Sequence, residues 1–372
     1  MQAKWYSDYI DKFGVGALDA LYDSLFSNGE QGAWYDPSDI TTLSQDTSGV
    51  TPVTAVGQPI ARVLDLSGNV ANATQATTAS RPLYARVPQG GVRNLFRNSM
   101  FAGFLVGNIP TQLTSSEGVT ISGSAGVGNP LIDISATGTD DVGGWIDVRI
   151  YGTNTSGATR FVSVMDESVV DASPGMSMVV SVDLRVIANV GPSTPSVRLF
   201  NQWRDASNTL LGGLNYPTSP TATMTRFTSG ASVAPANTAR VVNRGLYFII
   251  SDGETIDYTL RIRRLQTELS PVETAYQATR LYGVDITETG KANRFAILDD
   301  QVDDALVATL PAGTYTVAYG DDAGVTILTG QSISGAYTIP GPKRLYGAVI
   351  VDRALTASET SDVTSWINVK RP

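Results

Sequence analysis

Alternation of apolar and polar residues with period two dominates the middle of the chain. Ile146, Val148 and Ile150 alternate with Asp147 and Arg149. Met178, Val180, Val182, Leu184 and Val186 alternate with Ser181, Asp183 and Arg185. Leu246, Phe248 and Ile250 form a third set, and Tyr258, Leu260 and Ile262, set against Thr259, Arg261 and Arg263, a fourth. Period two with one apolar face predicts antiparallel strands, each half exposed. Many such runs between Val92 and about Ala278, separated by Gly, Pro, Asn and Ser turns, predict a β-sandwich of jelly-roll type. Flanking it, residues 30–92 read as turn-rich with short strands, among them Ile60–Leu66. Strands resume at Ala305–Leu310, Thr314–Tyr319, Val325–Leu328 and Leu345–Val351.

Helical spacing appears only at the two ends. Leu18, Leu21, Tyr22 and Leu25 fall at i, i+3, i+4 and i+7, and Trp5, Tyr9 and Phe13 make an earlier stripe. Gly14-Val15-Gly16 breaks this run and Asn28-Gly29 stops it. Two readings stand: a helical pair packed on the next domain, or an anchor at 1–29 that docks the chain on a larger assembly. The anchor reading makes Trp5, Tyr9, Phe13, Leu18, Leu21 and Leu25 the assembly residues. At the other end Thr356 and Glu359 form a capping box, with Leu355, Val363, Trp366 and Ile367 as the buried stripe of a terminal helix.

Composition narrows the chemistry sharply. The 372 residues include no cysteine and no histidine. Disulfides, thiolate nucleophiles, imidazole metal sites and any Ser-His-Asp mechanism are therefore excluded. The net charge of −9 repels phosphate backbones, so nucleic acid is not an expected partner. No run approaches the apolar length of a membrane span, so no membrane insertion is expected. Asp8 and Asp11 interrupt any apolar leader near the N-terminus, so no signal peptide is expected. Arginines are frequent between Lys12 and Lys291, where no lysine stands.

Three segments carry a family resemblance. Asn28 to Asp39 (Asn-Gly-Glu-Gln-Gly-Ala-Trp-Tyr-Asp-Pro-Ser-Asp), Gln45–Pro59 and Ala79-Ser80-Arg81-Pro82 resemble the start of the concanavalin-like, laminin-G-like sandwich of tailed-bacteriophage structural proteins. Phe295 to Trp366, with Ala354-Leu-Thr-Ala-Ser-Glu-Thr, resembles its end. Between them, Asn94-Leu-Phe-Arg-Asn-Ser-Met-Phe101 resembles the first strand of carbohydrate-binding-type jelly rolls. Leu265-Gln-Thr-Glu-Leu269 with Thr274-Ala-Tyr276 resembles the last strand of their phage versions. One departure is Asp300-Gln301-Val302-Asp303-Asp304, where the family has Asp-Gly-Val-Asp-Asp; without glycine the turn is expected to differ.

The resemblance implies a mainly β chain. A discontinuous concanavalin-like β-sandwich (30–92 and 280–372) carries an inserted jelly roll (93–279), with a short N-terminal helical segment and a C-terminal helix. It implies a non-enzymatic virion structural protein: a tail fibre, spike or baseplate appendage that attaches to host-surface polysaccharide, contacts other virion proteins and forms a homotrimer. A capsid decoration or connector is the alternative. No catalytic residue and no cofactor are expected. Calcium is one reading of the acidic cluster Asp299, Asp300, Asp303 and Asp304, because oxygen-rich β loops suit a hard cation; solvated turn residues are the other. For sugar stacking the candidates are Trp145, Trp203 and Tyr216, each set against burial in a sandwich core. Trp203, within Asn201-Gln202-Trp203-Arg204-Asp205, has the most polar neighbours. Gly123 to Gly128 reads as a loop, since no Gly-Lys-Ser/Thr follows it.

Overall fold

The alternating runs fold as long antiparallel strands. The computed structural model describes residues 16–109, 112–123, 128–166 and 168–372. The chain is mainly β, with sandwich sheets and two α-helices among the described residues. It divides into two units: one made of residues to Gly91 and from Gly290, the other of Val92–Thr289.

In the second unit the principal strands are β1 (Leu131–Asp140), β2 (Gly143–Thr153), β3 (Arg160–Met165), β4 (Ser177–Asn189), β5 (Val197–Arg204), β6 (Leu210–Thr218), β7 (Arg240–Ile250) and β8 (Thr255–Glu268). One sheet runs Thr225–Thr228, β4, β8, β2, β1, Gly107–Ile109. The facing sheet runs β6, β5, β7, β3, Thr120–Ser122, Gln112–Thr114. Ile146, Val148, Val182, Leu184, Leu260 and Ile262 of the first meet Val162, Val164, Leu199, Leu246 and Phe248 of the second in one core. Opposite faces of both sheets are thereby left outward, as period two requires.

In the first unit a sheet runs Gly32–Tyr35, Gly347–Val351, Val307–Gly320, Ala73–Thr74, Arg62–Val63, Leu43–Ser44, with Val325–Thr338 paired to Val307–Gly320. The strand expected over Ile60–Leu66 contracts to Arg62–Val63 because the buried Asp65 carboxylate gathers the following loop. It accepts from the backbone N–H groups of Trp34, Ser67 and Ala71. The two strands expected at Ala305–Leu310 and Thr314–Tyr319 form a single strand with register shifts.

Helices α1 (Ala17–Phe26) and α2 (Ala357–Asn368) share a core with Trp34, Val349 and Val351. Trp34 and Trp366 meet edge to face at 4.9 Å. α1 starts at Gly16, in the left-handed region at φ 90°, and α2 carries the expected capping box. The anchor reading of Leu18, Leu21 and Leu25 is corrected here: Leu21 and Leu25 are buried in this intramolecular core and Leu18 packs on it. Trp5, Tyr9 and Phe13 lie outside the described residues.

A buried ion pair joins segments from opposite ends of this unit. Lys370 Nζ donates to the Asp36 carboxylate and to Ser38 Oγ, 2.8 Å away, beside the Trp366 ring. Burial pushes the Lys370 ammonium down to about 8, against the pull of Asp36. Between about pH 8 and the ~10.4 of an unfolded lysine, the unfolded chain binds more protons than the folded one, so this group's contribution to stability rises with pH. Lys370→Ala is expected to cost about 3–5 kcal/mol at pH 7, because Asp36 is left buried and unpaired. The double substitution Asp36→Asn, Lys370→Met costs less and loses the stability gain between pH 8 and 10. Urea denaturation across that pH range checks both.

Candidate functional site: an aromatic groove on the sheet of β3, β5, β6 and β7

The outward face of the second sheet carries aromatic side chains where a half-exposed strand ordinarily carries polar ones. In β3, Val162 and Val164 point into the core, so Phe161, Ser163 and Met165 point out. In β5, Val197, Leu199 and Trp203 are buried, so Arg198, Phe200, Gln202 and Arg204 point out. In β7, Tyr247 stands between the buried Leu246 and Phe248. Cross-strand register sets Tyr247 opposite Ser163 on one side and Arg198 on the other.

The three rings form one cluster. Tyr247 meets Phe161 at 5.5 Å and 78°, and Phe200 at 5.1 Å and 87°, both edge-to-face. Its hydroxyl donates to Asn215 Oδ1 at 3.0 Å, and Arg198 Nη1 donates to the same oxygen at 3.1 Å. Phe161 remains 49% exposed. With Ser163, Met165 and Gln202 these rings line a groove of about 370 Å³. Arg204 donates through Nε and Nη2 to Gln202 Oε1, at 3.2 and 2.7 Å, which orients that amide. The arrangement offers apolar ring surface rimmed by amide, hydroxyl and guanidinium groups.

The outward face of the other sheet carries a network of ion pairs. Arg149 is bidentate on Asp257 (2.9 and 2.9 Å), and Arg261 on Asp147 (2.8 and 2.8 Å). Buried Asp183 accepts from Arg226, Arg263 and Arg264. Arg264 joins Arg263 on that carboxylate through a left-handed backbone at φ 49°. Another hollow of about 290 Å³, bounded by Met100–Phe104 and Thr137–Thr139, offers no comparable ring cluster, since Phe101 and Phe104 belong to the core.

The residues singled out from sequence do not converge. Trp203 is 1% exposed and its Nε1 donates to Ser232 Oγ at 3.0 Å. β5 continues through Arg204, so alternation turns the indole inward despite its polar neighbours; the sugar-stacking reading of Trp203 is corrected. Trp145 lies on the ion-paired face with the Arg261 guanidinium 3.5 Å from its ring centre. Gly138 permits this, since a Cβ there would lie 2.5 Å from the indole. Tyr216 is 40% exposed, but it lies on β6 opposite core residue Leu199, off the face that Tyr247 occupies. Phe161, Phe200 and Tyr247 were missed. The available signal was an aromatic at the outward phase of three neighbouring strands.

Asp299, Asp300 and Asp304 bring carboxylate oxygens within 4.8 Å of one another, whereas Asp303 turns away to accept from Ser80 Oγ at 2.8 Å. Asp300 Oδ1 accepts from the N–H groups of Val302, Asp303 and Asp304, and Asp304 Oδ2 from that of Asp300. Gln301 takes φ 63° despite its side chain, with its N–H and Nε2 both donating to Asp299 Oδ1 and Nε2 also reaching Gly341 O. The expected departure of this turn is thus absorbed by hydrogen bonds. The turn is held by its own amides, and of the four carboxylates read from sequence as a calcium candidate it brings together Asp299, Asp300 and Asp304 but not Asp303.

Neither family models nor curated proteins match this chain. Among solved structures, the enzymatically active domain of bacteriophage CBA120 tailspike protein 4 is 12% identical over 46% of this chain, with TM-score 0.27. The alignment spans 20% of the tailspike domain's own length. The baseplate tripod of bacteriophage Tuc2009 is 12% identical over 70% of this chain and 98% of its own, TM-score 0.30. A carbohydrate-binding module of the β-sandwich superfamily is 12% identical over 64% and 84%, TM-score 0.30. Likenesses of this strength decide nothing about the ligand.

Asp304 has its pKa raised, first by partial burial and then by the neighbouring carboxylates. A raised acid binds its proton more tightly in the folded state, so its contribution to stability falls as pH rises through that pKa. Asp304→Asn keeps an acceptor for the Asp300 N–H and removes the repulsion. It is expected to raise Tm by about 2 °C at pH 7 and to leave it unchanged at pH 3, checked by calorimetry in chelator-containing buffer.

Proposed function

We propose that this chain is a non-enzymatic structural protein of a tailed-bacteriophage virion, a tail fibre, spike or baseplate appendage whose second unit holds host-surface glycan. The observation that carries the binding reading is the groove of Phe161, Phe200 and Tyr247. Pyranose rings present apolar C–H faces between hydroxyl edges. Aromatic surface rimmed by Asn215, Ser163 and Gln202 complements both at once, as ligand grooves with few placed polar groups do. The family resemblance of the Asn94–Phe101 and Leu265–Tyr276 segments to carbohydrate-binding-type jelly rolls supports the attachment reading.

One groove of this size on an open sheet gives weak affinity per copy. Attachment then depends on several copies engaging one polymer, and a homotrimer on a multi-copy appendage supplies that through effective concentration. No helix among the described residues is long and apolar enough to cross a membrane. A head decoration remains the alternative within the same particle. Antibody labelling of virions by electron microscopy separates the two: label on the tail or baseplate supports the appendage, and label over the head overturns it.

Retention of the protein on arrayed bacterial surface polysaccharides tests the groove. Tyr247→Ala and Phe161→Ala are expected to lower retention at least about tenfold, as truncation of buried aromatic anchors does. Trp145→Phe, on the opposite face, leaves retention unchanged. Equal retention by all four proteins would remove the groove from the reading.

A further inference from the structure

Most described arginines of the second unit differ by face; the exception is Arg185, opposite Arg261 on the first sheet, whose Nε is buried without a partner. On the first sheet's outward face, Arg149, Arg226, Arg261, Arg263 and Arg264 are each held by a carboxylate. On the groove face, Arg198, Arg204 and Arg240 make hydrogen bonds only to amide and carbonyl oxygens. Arg198 donates to Asn215 Oδ1, Arg204 to Gln202 Oε1 and Asn208 O, and Arg240 to Ala206 O. Arg198 Nε is buried and has no partner. The carboxylate nearest in register is Asp171, opposite Arg240 on the strand Val169–Asp171, and it forms no ion pair with it. In a chain with net charge −9, Arg198, Arg204 and Arg240 thus stand without a carboxylate ion pair, among the described residues, on the sheet face that carries the aromatic groove.

Two of these guanidinium groups are wired into the groove itself. Arg198 shares Asn215 Oδ1 with the Tyr247 hydroxyl. Arg204 grips Gln202, which lines the groove at its other end. Both stand on β5, roughly 20 Å apart along the strand. Each keeps N–H donors beyond those its neighbour occupies, and a guanidinium fork matches carboxylate and phosphate geometry.

We infer that the groove selects an anionic saccharide chain, its sugar faces on Phe161 and Tyr247 and its carboxylate or phosphate groups on Arg198 and Arg204. This rests on the glycan-binding reading above and adds the charge of the ligand. A single-stranded nucleic acid would also offer rings and anions, but the overall charge of −9 opposes a dense phosphate chain.

The test is an array carrying alginate, polygalacturonate and wall teichoic acid beside dextran, xylan and mannan, with single-stranded DNA as a further spot. The expected result is retention on the acidic polymers alone, falling at least tenfold between 50 and 300 mM NaCl. Arg198→Gln and Arg204→Gln are each expected to weaken that retention about tenfold, with Tm unchanged. Arg185→Gln, on the other sheet, leaves it intact. Retention on the neutral polymers, insensitive to salt and to both substitutions, would overturn the charge inference and leave the glycan reading standing. Retention on none of the polysaccharides would overturn both, and retention on DNA alone would replace them.

Discussion

The second unit depends on the buried amide of Asn94. Its Oδ1 accepts from the N–H groups of Phe96 and Thr267, and its Nδ2 donates to the carbonyls of Leu265 and Gln277. All four hydrogen-bonding positions of the side chain are used, at 2% exposure. The carboxamide of Gln277 continues the network, accepting from the N–H groups of Arg93 and Asn94 and donating to Glu288, while Gln266 accepts from the Gln277 N–H. Residues more than 170 positions apart are thus fastened where this unit's chain begins and ends. A buried network of this kind specifies one arrangement because leaving any member unpaired costs its full desolvation. It also gives a physical account of two resembling segments: Asn94 and the Leu265–Leu269 run meet in space.

Arginine chemistry then decides what each outward face can do. Planar guanidinium forks bind neighbouring carboxylates bidentately across strands, which lysine cannot do. Arg149 and Arg261 use that fork on Asp257 and Asp147, and Asp183 is held by three guanidinium groups. On the paired face Arg149, Arg226, Arg261, Arg263 and Arg264 are occupied by carboxylates, and Trp145 lies beneath Arg261. On the groove face the same residue type was left without carboxylates and next to exposed rings.

Strand existence and core membership were legible in the sequence, because period two fixes which residues share a face. Ile146, Val148, Ile150, Leu260 and Ile262 all lie in the core as their spacing required. Face assignment failed where it was inferred from polar neighbours instead of phase. Trp203 looked exposed beside Gln202 and Arg204, yet its phase matches Leu199 and Val197. The groove escaped notice for a related reason. Phe161, Phe200 and Tyr247 lie in three separate strands, and only the register of β3, β7 and β5 brings them together. Register between distant strands is set by turns, bulges and packing, and no local pattern encodes it. The contraction of Ile60–Leu66 is partly of this kind, since Asp65 accepts from distant Trp34 as well as from its neighbours Ser67 and Ala71.

Preorganisation makes the groove a better binding surface than its exposed area suggests. A ligand pays for every side chain that it must immobilise, about 0.5–1.5 kcal/mol for a flexible one. Tyr247 is held by a ring on each side and by Asn215 at its hydroxyl, and Gln202 is held by Arg204. Those side chains are fixed before any ligand arrives, so little of this cost falls on binding. Their fixation depends in turn on the strand pairing of β3, β5 and β7, whose inward residues form the core beneath. The core sets the register, the register sets the rings, and the rings and unpaired guanidinium groups set what the face can hold.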